Sequence, residues 1–177
     1  IVECTDNFAI RNLLNDVCAL VKKPLVFASI FQYEAQLSVF HYGEKSFNLR
    51  DIFAEIPLKN TVPNCAEAGV LGALTGVIGS FQANEVIKIV TGIGNVCSGK
   101  LLLHDSLNNN FTSIALAKKD NIFIPKNSAQ VLQHDYHFST PKFTAIYTCN
   151  ALKLVLDYEN AKLIDVREIG EQPRITK

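Results

Sequence analysis

The sequence predicts an α/β protein built on a mixed sheet, and a few stretches near its start carry that prediction. Residues 1–4 read as the tail of a buried strand. Residues 8–22 repeat apolar positions at helical spacing, and residues 25–30 form a short continuous apolar run. Strand, helix and strand in that order make a βαβ unit, so the sheet is at least partly parallel. Residues 36–42 alternate loosely and add an antiparallel strand, which makes the sheet mixed.

Each element has its own signals. Thr5-Asp6-Asn7 supplies a turn and an N-cap ahead of the first helix. That helix places Phe8, Ile10, Leu13, Leu14, Val17, Cys18, Leu20 and Val21 on its apolar positions, and Pro24 ends it. Residues 43–64 form a long connection without a clear period, and a loop of that length in a compact domain is usually functional or mobile. Residues 66–91 are the strongest helical region, with a broad stripe through Leu74, Val77, Ile78, Phe81, Val86, Ile87 and Val90. Gly69, Gly72, Gly76 and Gly79 crowd its first half, each at about 1 kcal/mol relative to alanine in a helix. The expectation is a break near Gly79-Ser80 or very close packing against another backbone. Residues 101–105 and 112–116 form a hairpin across 107–110. Residues 118–140 are polar and read as a linker, followed by a short amphipathic helix over 143–157 and a strand over 161–168. The chain begins without Met in apparent mid-strand, and it stops just after a motif that opens a domain. Both ends therefore read as cuts in a longer protein.

Composition narrows the functional classes. Apolar residues are 48% and charged residues 19% of the chain, a globular balance. The 17 basic and 17 acidic side chains cancel, so charge gives no reason to expect nucleic acid or an anionic membrane as partner. The five cysteines are odd in number and widely spaced, with no Cys-x-x-Cys pair, which argues against a disulfide framework. No signal peptide is visible, and the most apolar stretch, 68–82, is too short and mixed to span a membrane. These features point to a reduced, cytoplasmic compartment.

Two places could carry chemistry. Asp6-Asn7 lies at the carboxyl end of a parallel strand, where open α/β sheets bind ligands. A carboxylate there can hold Mg²⁺, because substrate phosphates supply further ligands; the alternative is that Asp6 or Asn7 only caps the helix. Cys65 stands where the irregular loop meets a helix start, and a thiol at a helix N-terminus is biased toward thiolate and nucleophilic chemistry. The alternative is a buried, inert cysteine. Cys4 and Cys18 fall on apolar faces, and Cys97 and Cys149 have no partner in sequence. His41, His104, His134 and His137 do not combine with cysteine at metal-ligand spacing. Neither Gly-x-Gly-x-x-Gly nor Gly-x-x-x-x-Gly-Lys-Ser/Thr occurs in the 177 residues.

Several stretches taken together resemble the MoeB/ThiF/HesA family of adenylyltransferases. They are residues 3–15 with Thr5-Asp6-Asn7 and Arg11, residues 23–30, residues 34–40, and residues 62–72 around Pro63-Asn64-Cys65-Ala66-Glu67. Residues 76–88 and 98–103 continue the match in order, so that it covers about 1–117. The resemblance implies the C-terminal half of a Rossmann-like ThiF-type domain. It implies an enzyme that uses ATP and Mg²⁺ to adenylate the C-terminal glycine of a ubiquitin-like sulfur carrier, as in molybdopterin or thiamine synthesis. Asp6 would then contact Mg²⁺ or ATP with Asn7 beside it, and Cys65 would link covalently to the carrier. A homodimer is implied as well. Residues 163–168, Leu-Ile-Asp-Val-Arg-Glu, resemble the opening of a rhodanese-like domain over 141–177. Many relatives also carry two Cys-x-x-Cys pairs for structural zinc. Those pairs would fall near 46–51 and 119–127, where this sequence has no cysteine, so no zinc is expected.

Two other readings compete. The chain as it stands could be a non-enzymatic dimerisation and carrier-docking portion, with its glycine-rich helix packed across a two-fold axis. A dehydrogenase remnant is permitted by the βαβ start, but nothing else in the chain reads as a nicotinamide site.

Overall fold

The computed structural model describes residues 1–54 and 68–136. Among these residues the sheet has five strands in the order β1-β2-β3-β4-β5. Strand β1 (Val2–Glu3) pairs parallel with β2 (Leu25–Phe31). Each following neighbour is antiparallel: β2 with β3 (Glu34–Phe40), β3 with β4 (Lys100–Asp105), and β4 with β5 (Asn110–Ala115). The crossover from β1 to β2 is helix α1 (Phe8–Val21). Helix α2 (Gly72–Thr91) connects β3 to β4, and a short helix α3 (Ser128–Gln133) follows β5. The α/β class and the mixed sheet expected from the sequence are both present.

Strand β2 is an unbroken apolar run because both of its faces are covered. Val26 and Ala28 join Ala35, Leu37 and Val39 under Leu74 and Ile78 of α2. Leu25 and Phe27, pointing the other way, meet Cys18 of α1 together with Phe40, Leu49 and Leu101. The period of two along each strand therefore sorts its side chains between two helices.

Helix α1 starts and stops where its caps dictate. The Asn7 side-chain oxygen accepts from the amides of Ala9 (2.8 Å) and Ile10 (3.2 Å). At the other end Lys22 adopts the left-handed conformation, and its amide returns to the Ala19 carbonyl. The face it buries is not the expected apolar stripe. Arg11, Asn12, Asn15 and Asp16 are buried with Cys18, while Ile10 and Val21 are exposed.

Helix α2 corrects the expected break. It runs unbroken from Gly72 to Thr91 through Gly79-Ser80. Nor do its glycines mark close packing among the described residues, since a methyl added at Gly72, Gly76 or Gly79 would meet nothing there within 4 Å. Gly92 is required for the stop, with φ +70 and its amide bonded to the Lys88 carbonyl. The loop after it is tied back by Glu85, whose carboxylate accepts the Cys97 amide at 2.8 Å and also pairs with Lys88.

The long connection after β3 contains an element that periodicity did not reveal. A 3₁₀ turn over Leu49–Asp51 is closed by a capping box in which Asn48 accepts from the Arg50 amide (2.9 Å) and Asp51 accepts from the Asn48 amide (2.7 Å). Residues 118–136, read from sequence as linker, lie against this turn and α1. Their anchors are Lys119 on Asp51, Phe123 under the Arg50 guanidinium, and Tyr136 on Asp16. The expected helix over 143–157 and strand over 161–168 lie outside the described residues. No described helix is long and apolar enough to cross a membrane.

Candidate functional site

The carboxyl end of β1 opens into a four-residue turn that carries Asp6. Below the turn lies Glu3, fully buried. One of its oxygens accepts both the Thr5 amide (2.7 Å) and the Thr5 hydroxyl (2.5 Å). The other accepts from Arg11 Nε at 3.2 Å. The remaining Arg11 nitrogens reach the Thr5 carbonyl (2.8 Å) and the Ser29 hydroxyl (3.2 Å). The guanidinium also lies over the rings of Phe27 and Phe8.

Asp6 itself is exposed, and its carboxylate makes no hydrogen bond or ion pair with the described residues. Asn7, its neighbour, commits its side-chain oxygen to the first turn of α1. The two residues that the sequence groups together thus do different jobs: Asn7 caps, and Asp6 is left available. A single carboxylate without a partner among the described residues is compatible with sharing a Mg²⁺ ion, because that ion keeps most of its shell from water and phosphate. No group of three or more His, Cys, Asp or Glu that could hold a metal by itself occurs among the described residues.

The cysteines and histidines divide clearly. Cys65, Cys149 and His137 lie outside the described residues. Cys18 and Cys97 are buried, and burial pushes both thiols up, away from the reactive thiolate. Cys4 is exposed and hydrogen-bonds Gln82 at 3.5 Å. His41 hydrogen-bonds Asn15 (3.0 Å), and burial pulls it down to about 4. His104 stacks on Phe111 and His134 on Phe123.

The places where a zinc clamp would be expected do come together, but on other chemistry. Asp51 takes the Asn48 amide on one oxygen and the Lys119 amide (3.0 Å) on the other. The Lys118 ammonium stands 3.4 Å from Asp51 and also bonds the Ser46 carbonyl. A cavity of about 380 Å³ beside them is lined by Lys22, His41, Ser46, Asn48 and Lys118 among others. One imidazole, no thiolate and two ammonium groups do not fit tetrahedral zinc. A carboxylate–amide clasp joins the two segments instead.

Comparison with known proteins places this geometry. The sequence profile of the ThiF family matches residues 1–122. The chain belongs to the ThiF family. It is 37% identical over 171 residues to adenylyltransferase and sulfurtransferase MOCS3 of Sus scrofa, covering 96% of this chain and 37% of that protein. It is 48% identical over 120 residues to the MOCS3 protein of Aedes aegypti, covering 67% of this chain and 27% of that one. The chain thus spans about a third of the length of these relatives. Among solved structures, E. coli MccB in complex with MccA-N7isoASN superposes with a TM-score of 0.56 at 14% identity, over 71% of this chain and 40% of that one. That likeness concerns the fold. The turn carrying Asp6 presents an exposed carboxylate, without a partner among the described residues, at the carboxyl end of the parallel strand β1.

Apart from Arg11, which belongs to the segment that carries the family resemblance, the buried polar partners were not singled out from sequence, and no pairing was. Glu3 and Arg11 stand eight residues apart, and Asp16 and Arg50 thirty-four apart, so no local pattern couples either pair. The Asn48-x-x-Asp51 spacing is a capping-box signal that could have revealed the 3₁₀ turn.

Proposed function

We propose that this chain serves an ATP-dependent adenylyltransferase that activates the C-terminal glycine of a ubiquitin-like sulfur carrier, in molybdopterin or thiamine synthesis. The observation that carries this reading is the Asp6 carboxylate, without a partner among the described residues, at the carboxyl end of β1 within a chain of the ThiF family. Asp6 would hold Mg²⁺ on the nucleotide. The ion's contribution is to neutralise charge on the phosphates as pyrophosphate leaves. The carrier's carboxylate attacks the α-phosphorus, giving an acyl-adenylate. Cys65 is the candidate for a covalent link to the carrier afterwards, and residues 141–177 are the candidate opening of a rhodanese-like, sulfur-donating domain. The compartment is cytoplasmic.

The test is ATP–pyrophosphate exchange by the full-length protein with its carrier. Exchange should require Mg²⁺ and be abolished in Asp6→Ala. Exchange that is absent in the parent, or unchanged in Asp6→Ala, would sink the reading. The 177-residue chain alone, which has no glycine-rich phosphate loop, is expected to show no Mg·ATP binding in titration calorimetry.

A second reading, a dimerisation and carrier-docking portion, is favoured by the outer face of α2. Gly76, Val77 and Ser80 are exposed there, as are Ile87 (59%) and Val90 (78%). Such a face of small and apolar residues supports a homodimer. Sedimentation should give a dimer mass, and a monomer at every concentration would count against it.

A further inference from the structure

We propose that the buried Glu3–Arg11 pair is a positioning device that fixes the backbone on which Asp6 stands; this rests on the assignment of Asp6 to the nucleotide-bound cation. The geometry is specific to that turn. Thr5 immediately precedes Asp6, and both of its backbone polar groups are held by this one pair. Glu3 accepts the Thr5 amide, and Arg11 donates to the Thr5 carbonyl. Asn7 immediately follows Asp6 and is pinned through its cap bonds to Ala9 and Ile10 and through its carbonyl to the Arg11 amide. Asp6 is therefore clamped on both flanks while its own carboxylate stays uncommitted among the described residues.

The chemistry of the pair suits positioning. Glu3 is fully buried and Arg11 6% exposed, so neither can itself meet a solvent-borne nucleotide. Their charges cancel beneath the turn, which leaves Asp6 as the uncompensated negative charge at the sheet edge. Arginine is needed because three separate acceptors, at Glu3, Ser29 and Thr5, are served by one planar group. A lysine ammonium on a longer, rotating stem cannot reproduce that fork. A plain structural ion pair would not need to satisfy both backbone polar groups of the residue leading into the site.

The experiment uses the full-length protein carrying Arg11→Lys or Thr5→Val, both chosen to keep the fold, with Cys18→Ala as a comparably destabilised core control. Pyrophosphate exchange is titrated with Mg²⁺, ATP and carrier. Hydrogen exchange is followed at the Thr5, Asp6 and Asn7 amides. In Arg11→Lys, kcat should fall on the order of 10- to 100-fold, the range that a small misplacement of a reacting group costs. Its half-saturating Mg²⁺ should rise, its KM for the carrier should not move, and its Thr5–Asn7 amides should exchange faster. Cys18→Ala should lower the melting temperature without shifting the Mg²⁺ dependence. An Arg11→Lys protein that loses stability yet keeps its kcat and Mg²⁺ half-saturation overturns the positioning role. If Asp6→Ala leaves exchange intact, the functional reading fails first. If Asp6→Ala abolishes exchange and Arg11→Lys changes nothing, the positioning role alone fails.

Discussion

The Tyr136 hydroxyl donates a 2.9 Å hydrogen bond to Asp16 Oδ2, joining residues 120 apart in sequence. The same oxygen accepts from Arg50 at 2.8 Å, and Arg50 in turn reaches Asn12 at 2.7 Å. Asp16 is fully buried, and burial pushes its carboxyl up while Arg50 and Tyr136 oppose that shift. Tyr136 is pushed up as well, chiefly by burial and then by its bond to Asp16. The segment after β5 is thus fastened to α1 at a buried charge, and the fastening can be tested one atom at a time.

Tyr136→Phe removes one donor from a buried carboxylate and leaves the ring in place. The expected loss is about 1–3 kcal/mol in denaturant unfolding. Asp16→Ala should cost more, about 3–5 kcal/mol, because it leaves the Arg50 guanidinium buried without its counter-charge. Equal and small effects from both would mean that the segment is not anchored through Asp16.

The clasp at Asp51 carries a prediction about metal. Asp51→Ala deletes the acceptor for both the Asn48 and Lys119 amides, and the buried Asn48 donor left unpaired should cost about 1–3 kcal/mol, while the Lys119 amide, on an exposed residue, turns to water. A strong chelator should leave the melting temperature unchanged, and elemental analysis should find zinc far below one per chain. Stoichiometric zinc together with chelator-induced unfolding would show that metal, rather than this carboxylate, holds the segments.

What the sequence made visible follows from which signals are local. Strand β2 was legible because both faces are covered, so Leu25, Val26, Phe27 and Ala28 form one apolar run. Helix α1 was legible in extent through Asn7 and Pro24, yet its buried face was not. Arg11, Asn15 and Asp16 are buried because Glu3, Asn48 and Arg50 meet them there, and those partners lie up to 34 residues away. Helix α2 kept going past the three glycines it contains, Gly72, Gly76 and Gly79, because Leu74, Ile78 and Gln82 hold one continuous face on the sheet. A cost of about 1 kcal/mol per glycine is small beside that burial. The site was half legible. The exposed position of Asp6 in the turn after β1 was legible from the strand before it, while the cap function of Asn7 was left open by sequence and is fixed by its two amide contacts.

Substitution at Asn7 separates capping from nucleotide contact. Asn7→Asp keeps a cap acceptor and adds charge at the helix N-terminus, so stability should hold. Asn7→Ala should cost about 0.5–2 kcal/mol in unfolding, the usual range for a lost cap. In the full-length protein, the KM for ATP in Asn7→Asp should match that of the parent. A large rise in that KM with stability intact would return Asn7 to the nucleotide site.

The final prediction concerns acid. Burial lowers His41 from 6.5 to about 4 in the folded protein, and its ring is held by Asn15 at 3.0 Å. An unfolded chain takes up that proton at the ordinary value, so the unfolded state binds more protons between the two. Stability from this group is therefore complete above about pH 6.5 and is lost as pH falls toward about 4. The integrated effect is at most about 3 kcal/mol, from 1.36 kcal/mol for each unit of pKa difference. The same buried network contains Asp16, whose raised carboxyl has the opposite sign: its contribution is present at low pH and falls as pH rises through its folded value. The two contributions oppose each other, so the wild-type loss of stability in acid should be smaller than His41 alone would give. Melting temperatures from pH 4 to 8 check this. His41→Gln should flatten the slope between pH 5 and 6.5 while leaving the value at pH 8 within about 1 kcal/mol of the parent, since glutamine can still bond Asn15. A variant with the same slope as the parent would place the acid sensitivity elsewhere.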